Sequence, residues 1–184
     1  LGVAVIGLVG AGGYVLLQQQ ATQKAEAAVA AYQESLPAEH SFSYQGVEAD
    51  LLSQGAHLSE VTFSLPGAEG IVNGTAAQLS ISGPTVEDGK LVSVGGVSFE
   101  TLELSQADGS QVIAQSGSLE DVKLGQSGGI ESLRDIGAIS LTGVQARDAK
   151  QDGGVRFASL NGDGFTRGAL SSLEVTGLEI DGTD

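Results

Sequence analysis

VGGVSFETLELSQADGSQVIAQ, Val94 to Gln115, is written almost a second time as IGAISLTGVQARDAKQDGGVRFAS, Ile136 to Ser159. In both, an apolar residue is followed by two small ones, an apolar residue, Ser and a further apolar residue. An alternating run comes next, then Asp-Gly, then a second apolar alternation. Alternation with a period of two marks a strand with one buried face, and Asp-Gly supplies the positive φ of a tight hairpin turn. The repeated phrase is a β-hairpin. A single hairpin cannot bury its own apolar face, so successive hairpins must pair or stack to share it.

Working outward, the same grammar extends over most of the chain. Phe42 and Tyr44 alternate with Ser41 and Ser43, and LSEVTFSL (Leu58 to Leu65) alternates through Val61, Phe63 and Leu65. LSISGPTVEDGKL and LEVTGLEID read likewise, and the units recur weakly at roughly 30–45 residues, a hairpin's length. Asp88-Gly89, Asp108-Gly109 and Asp152-Gly153 fall where turns are needed. With 28 Gly, aromatics at 4% and no Trp, the composition suits many tight turns between short strands. The expected fold is mainly β: an antiparallel meander of hairpin repeats over residues 41–184, forming a curved sheet or a sandwich. LEVTGLEID matches only the first half of a unit, so the expectation is either that the native protein continues, leaving an edge strand here, or that a partner caps that edge.

A different pattern precedes the strands. LGVAVIGLVGAGGYVLL, residues 1–17, carries no charge, and as a helix it would extend about 25 Å, close to a hydrocarbon core. QQQATQK follows it without a small-x-small cleavage site, which favours an uncleaved transmembrane signal-anchor over a removed leader. The absence of Met implies a processed chain. Gly7 and Ala11 form a small-xxx-small pair, with Gly10 and Gly13 on a nearby face, a pattern that lets another helix approach closely. Residues 18–37 are rich in Ala, Gln, Glu and Lys and predict a helical stalk that Pro37 ends. All eight Lys and Arg residues lie beyond the anchor among 23 acids, so the positive-inside rule places the bulk on the translocated side. The expected location is a bacterial inner membrane, single-pass, with the bulk in the periplasm.

Charge and composition also set functions aside. A net charge of −15 opposes nucleic-acid binding, which needs cations to displace counterions from phosphates. The lack of Cys removes disulfides, thiolate metal sites and thiol nucleophiles. His40 and His57 are the only imidazoles, lack a metal-pair spacing, and read as surface or capping residues. No GxSxG elbow places a serine on a strained turn. SLNGDGF, Ser159 to Phe165, is the most ligand-like phrase, since Asn161 and Asp163 could offer oxygens to Ca²⁺. It lacks the closing Glu of an EF-hand and reads as a polar turn. No catalytic, cofactor or metal residue is assigned, and a non-enzyme is expected.

The order of anchor, stalk and FSYQGVEADLLSQGAHLSEVTF (Phe42 to Phe63) resembles the start of YdgA-like bacterial envelope proteins, through Tyr44, Leu51 to Ser53 and Val61. The later strand and Asp-Gly units are similar to the β-repeats of the broader AsmA-type group. The resemblance implies an inner-membrane-anchored periplasmic protein linked to lipid traffic or envelope assembly, with no catalytic residues to carry over. Two functions are expected from this reading. The first is an accessory or scaffolding subunit of an integral membrane protein complex, its anchor packing through Gly7, Gly10 and Ala11 in the lipid bilayer. The alternative is an AsmA-type carrier of lipid or another hydrophobic ligand on an apolar face made by Val94, Val97, Phe99, Ile136, Ile139 and Leu141. Against the carrier, so small a core needs those residues to fill its own interior.

Overall fold

Along the quoted stretch the buried side chains are Val94, Val97, Phe99, Leu102 and Leu104, so the steps run three, two, three, two. A simple strand would step by two throughout. The departure organises the whole molecule. The computed structural model describes residues 40–50, 55–67, 70–87, 90–124, 133–149, 153–166 and 169–181. Within them lie β1 (Ser41–Ser43), β2 (Gly46–Asp50), β3 (Gly55–Gly67), β4 (Gly70–Ser82), β5 (Thr85–Glu87) and β6 (Lys90–Gln106). β7 (Gln111–Leu124), β8 (Leu133–Asp148), β9 (Gly153–Thr166), β10 (Ser172–Thr176) and β11 (Glu179–Asp181) complete the set.

All the strands belong to one antiparallel sheet, in which neighbours in sequence are neighbours in space. β1 and β2 lie end to end against β3, β4 and β5 against β6, and β10 and β11 against β9. The path does not return to its start, so the sheet stays open, with β1–β2 on one edge and β10–β11 on the other. The mainly β, antiparallel hairpin meander read from the sequence is the observed architecture. No helix occurs among the described residues, and the expected anchor (1–17) and stalk (18–37) lie outside them.

Of the three expected Asp-Gly turns, the one at Asp108-Gly109 falls within the described residues; Asp88-Gly89 and Asp152 lie outside them, between the pairs Glu87–Lys90 and Asp148–Gly153, and Gly153 itself is the first residue of β9. At Asp108-Gly109 the Gly109 amide donates to the Gln106 carbonyl (3.0 Å) and the Asp108 carboxylate accepts from the Ser110 amide (3.0 Å). Gly109 there has φ of 90°. The side-chain acceptor and the positive φ are what Asp and Gly each contribute.

Two expectations need correction. The strands are long rather than short: β6 has 17 residues and β8 has 16. SLNGDGF is no turn, since it runs inside β9. The cause is the same in both cases. Glycines and small residues that resembled turn punctuation sit within continuous strands, at positions where the pairing is interrupted without a shift of register. One line of such positions crosses the sheet at Glu60, Ala77, Thr101, Gln115, Gly143, Ala158 and Gly177, each opposite the next by register, and between β7 and β8 Ala114 and Val144 are unpaired beside it. A second skipped line crosses Gly95, Asp121, Gly137 and Gly164, offset by six residues from the first on each strand.

At each line the inward and outward faces exchange parity, which produces the three-residue steps. Positive φ falls on alternate strands: Glu60, Thr101, Gly143 and Gly177 on the first line, Asp121 and Gly164 on the second.

One face carries the core. Val61, Leu79, Val94, Val97, Leu102, Leu119 and Val122 are fully buried, and Phe63, Phe99 and Ile136 are nearly so. Large side chains on β3, β6 and β8 lie over small ones on the strands between. A Cβ on Gly74 would collide with the Phe63 ring, and one on Gly117 with both the Phe99 ring and Leu141. The other face is polar and hydroxyl-rich, and Ser64 donates to Asn73 there (2.6 Å).

Candidate functional site

The residues singled out by chemistry are structural. His57 sits on the exposed face of β3, its Nδ1 2.7 Å from the Ser80 hydroxyl on the paired position of β4. His40 lies just before β1, half-buried, with no hydrogen-bond partner for its Nδ1. The two imidazoles sit at opposite ends of the β2–β3 region and form no pair. Asn161 and Asp163 do not converge on a ligand. Asn161 accepts from Ser140 on β8 (2.9 Å) and Asp163 from Ser172 on β10 (3.0 Å). They bind neighbouring strands instead. Among the described residues no group of three or more His, Asp or Glu side chains could hold a metal ion.

The apolar-face candidates all lie on one side of the sheet. Val94, Val97, Phe99 and Ile136 are inside the core, and Ile139 and Leu141 are partly buried against it. Packed side chains occupy the face at this point. Gly7, Gly10, Ala11 and Gly13, the helix-packing candidates, lie outside the described residues.

The surface that stands out is the β10–β11 edge, whose residues were foreseen only as an unfinished strand. Every residue from Ser171 to Asp181 is exposed. Leu173 (56%), Val175 (40%), Leu178 (56%) and Ile180 (71%) project on the same face as the core, and Leu170 (41%) adjoins them. Ile71 is the one other large apolar residue exposed to this degree among the described residues. On the opposite side the edge carries Glu174, Glu179 and Asp181. Arg156 of β9 reaches Glu179 (3.5 Å) and Asp181 (3.0 Å). Among the described residues β9 is the only strand paired with β10 and β11.

Such an edge offers unpaired main-chain groups, a row of apolar side chains and a row of carboxylates. Fully covering one Val, Leu or Ile contributes about 1.5–3 kcal/mol, and these side chains are roughly half covered already. The chain matches no family model and no curated protein.

Proposed function

We propose that the protein is a non-catalytic binding module, an accessory or scaffolding subunit that docks on a protein partner through the β10–β11 edge. One observation carries this reading. Among the described residues, the large exposed apolar side chains other than Ile71 all lie on or beside β10–β11. Four such residues within eight positions form a contiguous strip, and strips of this kind mark interaction surfaces. The anchor expected over residues 1–17 would hold this module beside an integral membrane complex, with the sheet in the periplasm. The carrier reading draws less support, because four of its six candidate face residues are enclosed by their own neighbours.

Native mass spectrometry on the protein extracted gently from its own membrane tests the proposal. A stoichiometric protein partner is expected, and it should be lost from the Leu173→Asp, Ile180→Asp double variant while the sheet's circular dichroism persists. A lone chain carrying lipid would overturn the reading in favour of the carrier. Partner retention by the variant would remove β10–β11 from the docking surface.

A further inference from the structure

We draw no further inference here: the strongest candidate, the row of His57, Ser80, Ser98, Ser118 and Ser140 across the polar face of β3, β4, β6, β7 and β8, is a stripe of small hydroxyl side chains beside one imidazole, and no second observation among the described residues points to a ligand there.

Discussion

The two lines of interrupted pairing are built differently in the two halves of the sheet. In β3, β6 and β7 the positive-φ positions hold Glu60, Thr101 and Asp121, while in β8, β9 and beyond β10 they hold Gly143, Gly164 and Gly177. A left-handed conformation costs a residue with a Cβ about 1–2 kcal/mol. The first half bears that cost at three places, including a β-branched threonine. It is also the half with the deep core: Val61, Leu102 and Leu119 of β3, β6 and β7 are buried to within a few per cent, whereas no apolar side chain of β9, β10 or β11 is fully buried. Strain persists where surrounding packing over-determines the backbone. Where packing thins toward the open edge, glycine adopts the same conformation without the penalty.

The largest effects should expose this difference directly. Leu102→Ala on β6 removes a side chain with 1% exposure and should cost about 3 kcal/mol in urea unfolding. Val175→Ala on β10, at 40% exposure, should cost about 0.5 kcal/mol or less. Similar losses at both sites would mean that the half-open edge is as tightly held as the core, and the contrast would fail. Gly117→Val comes next. Its side chain would enter the space of the Phe99 ring and Leu141, and overpacking of this kind costs about 2 kcal/mol or more.

Exchanging the positive-φ residues sharpens the comparison. Gly143→Thr places a β-branched residue at φ of 61°, with a Cβ 2.5 Å from the Gln115 side chain, and should destabilise by about 1–2 kcal/mol. Thr101→Gly relieves the equivalent strain but adds unfolded-chain entropy, leaving a net gain of about 0.5 kcal/mol. Melting curves on the two single variants test the sign of each. A loss from Thr101→Gly would show that the threonine side chain contributes more than its backbone costs.

How much of this was legible follows from the same residues. The hairpins were, because Asp108-Gly109 and its counterparts combine two strong local preferences between alternating runs. The inward set was also readable, since Val94, Val97, Phe99 and Ile136 are apolar at the repeat's recurring positions. The interruptions were missed because a left-handed kink within a strand and a turn use the same residue types. Gly164 in SLNGDGF needed its surroundings in the sheet, Gly137 opposite it on β8 and Ser171 donating its hydroxyl to the Gly164 carbonyl, to be distinguished from a loop glycine. One signal was present: apolar steps of three, two, three, two in both copies of the repeat, where a strand-turn-strand reading predicts steps of two. The exposed strip at Leu173 to Ile180 could not be found from residue type. Its residues match those of β8, and among the described residues only β9 pairs with them.

The smallest expected effect tests how firmly the edge is closed on its inner side. Arg156 reaches Glu179 and Asp181, but all three side chains are about half or more exposed. Exposed ion pairs contribute roughly 0–1 kcal/mol because solvent screens them and ordering the side chains costs entropy. Arg156→Ala should therefore cost about 0.5 kcal/mol, and the difference from the parent should vanish near 1 M salt, where the screening length is about 3 Å. Hydrogen exchange should show β11 amides opening faster in the variant, with β6 and β7 unchanged. A loss that survives high salt would mean that the arginine stem covers apolar surface beneath β11. The edge would then be held by packing as the core is, and its openness would be a property of the outer side alone.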